Sequence, residues 1–521
     1  MADYYGLSAL GVVCALGTDA DEIWRRAAAG DTSGMKKLEN TLADGRTTLF
    51  GACPVETGAH PSRVAALLAA AADAIAAEIG ELKRLHGAAR IGVVVGTSNS
   101  TMEEFTENPE SIDMAAPAFF LRSHLGLGGP AFAVSTACSS SVKVFASARK
   151  LIAAGVCDAV VVGGADSFSR VVVNGFDALE VISASLATPM GENRQGINLG
   201  EGAALFIMEK NRGEIALLGV GESSDAYHLT APDPEGRGAE ASMRAALADA
   251  GLEPEDVVYV NMHGTGTVQN DSAESQALWR VFGGGTVCSS SKPMIGHALG
   301  AAGALETALS YLMLKNGGAT LPHPLDGKRD PALPPLRLAA VGEPYRPGPV
   351  LSNSFAFGGS NASVVIGAPP VADILPHDPP MVLLSSFDPA SYAEDRLTAF
   401  VDIDEDSPFY DEGLGGVPAV FALEYMAQTM AALVGLKRRR LRLPPRVGFV
   451  LGSRSLKVNA VKFERGARYR VEAEMTFTDG SFASFDVRIV SPDESTAAEG
   501  RINAFEPEDG DLNQFKEGVG A

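Results

Sequence analysis

Along the first two thirds of the chain, short runs of β-branched and small apolar residues alternate with stretches whose apolar positions follow the period of a helix. Residues 91–95, 159–163, 257–261 and 350–352 carry almost no polar position, which predicts strands covered on both faces, as in a parallel sheet. The apolar opening at 6–16 predicts one more buried strand. Helices are predicted over 63–79, over 140–154 closed by Gly155, and over 298–315 closed by Gly317 and Gly318. So many alternating elements describe a large layered α/β domain over residues 1–366.

The pattern then breaks. Residues 367–380 hold five prolines in fourteen positions, an extended joint that neither a helix nor a central strand tolerates. A linker is expected to start at 367–373, with a second domain over 374–508 and a tail over 509–521. Within the second domain a long helix is predicted over 418–436, apolar almost all round and interrupted by Glu424 and Gln428. The alternating runs 469–477 and 482–490 predict an antiparallel sheet that wraps it.

Composition narrows the functional classes. With 521 residues, 46% apolar and 20% charged, the chain is expected to form two or three globular domains with real cores. A net charge of -22 repels nucleic acid and anionic lipid, so neither is expected as a partner. The five cysteines are odd in number and include no Cys-x-x-Cys pair, which argues against a disulfide framework or a zinc site and for a reducing cytoplasm. No uninterrupted apolar run reaches about 18 residues, so no membrane span is expected. The opening apolar run lacks a preceding Lys or Arg and meets Asp19, Asp21 and Glu22 soon after, unlike a secretory leader.

Three residues carry the candidate chemistry. Cys138, in Val-Ser-Thr-Ala-Cys-Ser-Ser-Ser, sits between a predicted strand and the helix opening at Ser140, where the helix N-terminus favours a thiolate. His263 opens His-Gly-Thr-Gly-Thr at the carboxyl end of a predicted parallel strand, where α/β sheets place ligands. His297 precedes a helix whose N-terminus disfavours imidazolium, so a neutral ring is expected there. Cys14, Cys53, Cys157 and Cys288 read as small buried hydrophobes, and His60, His86, His124, His228 and His323 as structural or surface residues. The segment 137–141 (Ala-Cys-Ser-Ser-Ser) has an echo at 287–291 (Val-Cys-Ser-Ser-Ser), either a coincidence or the mark of a duplicated half-domain.

These segments, with Asn198-Leu-Gly-Glu-Gly-Ala203, Lys292 through His297 to Gly-Ala-Ala-Gly303, and Asn353-Ser-Phe-Ala-Phe-Gly-Gly-Ser-Asn361, resemble the 3-oxoacyl-ACP synthases, the β-ketoacyl synthase class of condensing enzymes. The resemblance implies a thiolase fold of two related α/β halves, usually a homodimer, and decarboxylative condensation of an acyl thioester with malonyl-ACP. It implies that Cys138 carries the acyl chain, that His263 and His297 bind the malonyl thioester carbonyl, and that the N–H groups of Cys138 and Phe357 form an oxyanion hole. Phe357 matches the family's gate. Lys292 and Glu306 match a buried charge pair, Glu274 a further structural acid, and Thr265 and Thr267 pantetheine contacts. No metal or separate cofactor is implied, because the substrates ride on the phosphopantetheine of acyl carrier protein. A degradative thiolase needs a second cysteine near its C-terminus, and none follows Cys288. A non-catalytic chain-length partner subunit lacks the nucleophile and remains the competing class. Met190-Gly191, where Phe-Asp is common, and a short 98–131 stretch depart from the pattern.

Residues 375–384, 416–428 and 448–454 resemble the opening, central helix and a later strand of 3-hydroxyacyl-ACP dehydratases of the hotdog fold, in the aryl-polyene branch. Glu424 aligns with their catalytic acid. The histidine of their His-Phe-Pro loop is missing, since 406–413 reads Asp-Ser-Pro-Phe-Tyr-Asp-Glu-Gly and no histidine follows His377. A lone carboxylate is a poor acid and base at once, so the domain is expected not to act as a conventional dehydratase, with a bifunctional synthase and dehydratase as the alternative. His377, in the opening motif, is expected to be structural, with reach into the substrate tunnel as the alternative. The basic run Lys437, Arg438, Arg439, Arg440, Arg442 and Arg446 reads either as compensation of the helix dipole or as a docking patch for an acidic carrier protein.

Overall fold

The computed structural model describes residues 4–105, 113–325 and 327–507. The expected tail at 509–521 lies outside them, as do residues 106–112 of the short 98–131 stretch. The chain divides into two units, one of residues 7–210 and 217–367 and the other of residues 368–521 with 1–6 and 211–216.

The first unit is built on the strands β1 (Tyr5–Val13), β2 (Ile91–Gly96), β3 (Ala131–Val134), β4 (Ala159–Asp166), β5 (Gly202–Lys210), β6 (Ala216–Ser224), β7 (Tyr259–Asn261), β8 (Val287–Ser289), β9 (Arg337–Leu338), β10 (Val350–Ala356) and β11 (Ser360–Gly367). They hydrogen-bond in the order β9-β8-β7-β10-β11-β6-β1-β5-β4-β2-β3. The order is a repeat. In β1-β5-β4-β2-β3 the last three strands run parallel and β5 is antiparallel to β4. In β6-β11-β10-β7-β8 the last three again run parallel and β11 is antiparallel to β10. The two Cys-Ser-Ser-Ser segments follow β3 and overlap β8, the equivalent strands of the halves, so the echo marks the duplication.

Two helices hold the halves together. Helix α1 (Ser140–Ala153) and helix α3 (Ala302–Asn316) each touch strands of both halves, and they pack on one another. Thirteen of the 15 residues of α3 are buried, which explains its apolar run and its small residues. The seat of α1 is made by glycine. A Cβ on Gly96 of β2 would lie 2.4 Å from the main chain of Ser141, and one on Gly164 of β4 would lie 2.5 Å from the Ser141 side chain. Only strands bare at those two positions let the first turn of α1 come so close.

Some predicted boundaries move. The helix expected over 63–79 is two helices, Arg63–Asp73 and Ala76–His86, because Ile75 leaves helical geometry between them. The helix expected from 298 begins at Ala302, preceded by a tighter turn at Leu299–Ala301 in which Leu299 has φ +51°.

The second unit has a six-stranded sheet of β12 (Ser386–Phe387), β13 (Arg396–Asp402), β14 (Phe449–Val458), β15 (Arg468–Asp479), β16 (Phe482–Val490) and β17 (Thr496–Phe505), in the order β12-β13-β15-β16-β17-β14 with antiparallel neighbours. Helix α4 (Ala422–Arg440) packs against β13, β15 and β16, the wrapped helix of a hotdog. By length and composition alone, Ala419–Arg440 would suffice to cross a membrane; here most of it is buried in its own unit. The proline-rich joint is not a free linker. Ile374 and Leu375 are fully buried, Gly435 of α4 leaves room for the Ile374 carbonyl, and Arg439 donates to the Asp373 carbonyl at 2.8 Å.

A methyl group at the seat of α1 should be costly. Gly96→Ala is expected to destabilise the protein by about 1–3 kcal/mol through overpacking and to change the rate at which Cys138 is alkylated, as read by thermal melting and by intact mass after exposure to iodoacetamide.

Candidate active site

Cys138 lies in the turn between β3 and α1, with Ala137 at φ +51° before it. His263 follows β7. His297 follows the short helix Lys292–Ile295, and its main chain is pinned on both sides, its N–H to the Asn198 carbonyl at 2.8 Å and its carbonyl by the Gly200 N–H at 3.0 Å. That is the use of the Asn-Leu-Gly-Glu-Gly motif. The Asn198 side chain in turn bonds the main chain of Ala187, Ser183 and Ser185.

The three residues meet. His297 Nε2 lies 3.1 Å from Cys138 Sγ, and the two imidazole centroids are 5.2 Å apart at 82°. Donor atoms of all three lie within 4.8 Å of one another, close enough to hold a soft divalent metal as well as to relay a proton. They line a cavity of about 170 Å³ together with Thr265, Thr267, Phe176 and Phe357. Phe357 stands on a turn with Gly358 at φ +81° and stacks on Phe176, a wall residue absent from the sequence reading.

Behind the histidines lies a buried ionic core. Lys292 donates to Glu306 and to the carbonyl of His263, and both charged side chains are excluded from solvent. Glu274 accepts from the N–H groups of His263 and Gly264, each at 2.7 Å, so it shapes the turn that aims the ring. Ser290, from the echo segment, donates to the Gly264 carbonyl at 2.7 Å; the second Cys-Ser-Ser-Ser loop therefore braces the same site. Thr265 and Thr267 bond one another at 3.0 Å, and Thr267 caps helix α2 (Val268–Phe282).

Burial dominates the electrostatics. It pushes the Cys138 thiol up to about 12, with Lys292 opposing. The helix N-terminus was expected to favour thiolate there, and desolvation of the enclosed sulfur outweighs it. Burial, then the Lys292 cation, holds His263 and His297 well below the usual imidazole range, so both rings are neutral. Desolvation is therefore the main cause of the neutrality expected at His297. Burial also pushes Glu306 and Glu274 each up to about 7.

One site acid escaped the sequence. Asp166, at the end of β4, accepts from Thr97, from the N–H groups of Ser98 and Asn99, and from the Gly300 N–H at 2.7 Å, tying the turn after His297 to the loop after β2. An acid closing an otherwise apolar strand was the available signal. The histidines set aside stay outside the cavity. His86 and His124 face Asp158 and Asp73, His60 rests near Phe120, and His228 accepts from the Thr230 N–H. His323 accepts from the Ser290 N–H at 3.0 Å. All five cysteines are free and buried. Met190 is buried and donates its N–H to Asp271.

The second unit corrects one expectation. Glu424 is not isolated, because His377 Nε2 lies 3.9 Å from its Oε1 and both line one cavity of about 590 Å³. The opening segment folds back along α4, where Gln428 bonds the main chain of Met381 and Leu383 and donates to Glu424 at 2.9 Å. Within the basic run, Arg439 is buried, Arg438 and Arg446 share Glu506, and Arg440 lies over the Tyr392 ring.

Residues 18–213 and 215–324 match the models for the N-terminal and C-terminal domains of β-ketoacyl synthase, and residues 369–517 match a model described as ApeP dehydratase, ApeP-like. Nodulation protein E of Rhizobium sp. (strain N33) is 34% identical over 397 residues, covering 68% of this chain and 97% of that protein. The 3-oxoacyl-[acyl-carrier-protein] synthase 2 of Coxiella burnetii is 29% identical, covering 69% of this chain and 97% of its own length. Among solved structures, the ketosynthase ApeO in complex with its chain length factor ApeC, from Xenorhabdus doucetiae, aligns at 39% identity and TM-score 0.68, over 70% of this chain and 98% of that one. The ishigamide ketosynthase/chain length factor aligns at 26% identity and TM-score 0.63, over 71% of this chain and all of that one.

Two measurements follow from the electrostatics. With the thiol raised, the alkylation rate of Cys138 by iodoacetamide should climb about tenfold per pH unit from about pH 6 to 9 without a plateau, since the thiolate fraction grows that way below its pKa. Lys292→Ala leaves Glu306 buried and unpaired and should cost about 3–5 kcal/mol by chemical denaturation, while Lys292→Met with Glu306→Leu should cost much less.

Proposed function

From the premise that the chain belongs to the β-ketoacyl synthase family and is a condensing, acyl-transferring enzyme, we propose that Cys138, His263 and His297 carry out the decarboxylative condensation of an acyl thioester with malonyl thioester. The observation that carries this is the 3.1 Å contact between Cys138 Sγ and His297 Nε2, with the His263 ring beside them in one cavity.

In the first half-reaction the Cys138 sulfur attacks the acyl thioester carbonyl, its proton passes to His297 Nε2, and the departing carrier thiolate takes that proton away. A thiol held near 12 needs such a base within reach. In the second, the C–C bond to the malonyl carboxylate breaks and releases carbon dioxide. The electron pair left at C2 is delocalised as an enolate, whose oxygen accepts hydrogen bonds from the neutral rings of His263 and His297. The Nδ1 atoms of both rings have no protein partner, so neither tautomer is locked and each Nε2 is free to donate. The enolate carbon then attacks the acyl-Cys138 carbonyl, the oxyanion rests on the N–H groups of Cys138 and Phe357, and the Cys138 thiolate leaves and takes up a proton from water.

Thr265 and Thr267, at the cavity wall, suit the amides of a pantetheine arm, and Phe357, on a glycine turn at the cavity wall, suits a gate. Substrates on the phosphopantetheine of an acyl carrier protein supply everything this chemistry uses, and the reading calls for no metal or separate cofactor. A cytoplasmic homodimer completes it, supported by the half-buried outer edge strand β3 and by the five free thiols.

Intact mass after mixing with acyl-ACP and malonyl-ACP tests the assignment. Cys138→Ala should show no acyl adduct and no condensation. His263→Ala should lose decarboxylation about 100-fold or more while still acylating; His297→Ala should be impaired in both half-reactions, because it touches the sulfur. Condensation retained without Cys138 would overturn the reading.

A further inference from the structure

The dehydratase likeness of the second unit assigns no base, since the loop that would carry its histidine has none. The structure supplies one from elsewhere. His377 and Glu424 stand at one end of the 590 Å³ cavity, with 30% and 34% of their side chains exposed. The remainder of the cavity runs along one face of α4, where Ala427, Ala431 and Val434 form one wall and Phe449, Phe485 and Phe505 the other. Positions 424, 427, 431 and 434 share a helix face, so the channel follows the helix for about 15 Å. Its middle is apolar and suits an alkyl or polyene chain, with an imidazole and a carboxyl group at one end and Lys437, Arg438, Arg446 and Glu506 also in its lining.

Their geometry fits an elimination better than a structural ion pair. At 3.9 Å the two groups are too far apart to hydrogen-bond, so neither satisfies the other. His377 Nδ1 is buried without a partner. Glu424, in contrast, is oriented: Gln428 donates to it and is itself fixed by the main chain of Met381 and Leu383. A rigid carboxyl group and an imidazole one substrate group apart can straddle two adjacent carbons.

We infer that His377 is the base and Glu424 the acid of a second catalytic site, which dehydrates a 3-hydroxyacyl thioester to the 2-enoyl thioester. His377 Nε2 takes the proton from C2, which the thioester carbonyl acidifies, and the C2–H electron pair becomes the C2=C3 double bond. The C3–O bond breaks as the protonated Glu424 delivers its proton to the leaving hydroxyl, and one water is released. The imidazolium then returns its proton to the Glu424 carboxylate through that water, which bridges the 3.9 Å gap, and both groups are restored. The acyl chain lies along α4. This chemistry is independent of Cys138 and stands or falls separately from the condensation.

The test uses the full chain carrying Cys138→Ala, so that acyl transfer does not compete, with the phosphopantetheine thioester of 3-hydroxydecanoic acid as probe. The expected result is enoyl thioester, with kcat reduced about 100-fold or more by a further His377→Ala or Glu424→Gln change and KM held within about threefold. Added imidazole should raise the His377→Ala rate at least about tenfold and leave Glu424→Gln unchanged. Absence of enoyl product from the parent chain, a His377→Ala rate within about threefold of it, or a loss that imidazole does not repair would overturn the assignment.

Discussion

The first turn of α1 lies against Gly96 and Gly164 where any larger residue would collide with Ser141, and much of the first unit follows from that approach. It lowers Cys138 into the interior, at the carboxyl ends of the parallel strands. There the turn after β7 delivers His263, and the segment after Lys292 delivers His297. Because α1 and α3 each pack on strands of both halves, a nucleophile from one half and two histidines from the other share one enclosed space.

Enclosure then sets the electrostatics. Desolvation raises the thiol and lowers both imidazoles, so the site holds a neutral sulfur and two neutral rings. The nearest cation, Lys292, is also buried. It works against ionisation of the rings and in favour of the thiolate, while Glu306 balances its charge. The pair is costly to bury and costlier to break. Its position beneath His263, whose carbonyl Lys292 also binds, makes it part of the frame that aims the ring.

The second unit solves a different problem with similar means. A carboxyl group on a buried helix needs orientation and a proton partner. Gln428, one turn along α4, provides orientation by tying Glu424 to the strand-like segment that crosses the helix. The same crossing carries His377 to the cavity. The proline-rich joint thus serves less as a spacer than as a strap, with Ile374 and Leu375 sunk in the core and His377 just beyond them.

Much of the first site was legible in the chain because its determinants are local. Cys138 precedes a helix, His263 follows a strand, and glycines stand where turns need them, so short segments record them directly. Ser290 and Asp166 were harder. Each acts on a neighbour far away in sequence, and no periodicity encodes that. The extent of the thiol's desolvation was not readable either, because a helix N-terminus is a local feature whereas burial is a property of everything packed around it. In the second unit the sequence by itself determined the helix, its carboxyl group and the absence of a histidine from the expected loop. Only the tertiary structure decided that His377 meets Glu424, because that contact depends on how a segment of prolines and buried aliphatic residues folds back over α4, and a one-dimensional pattern does not specify which face of a helix such a strap will cross.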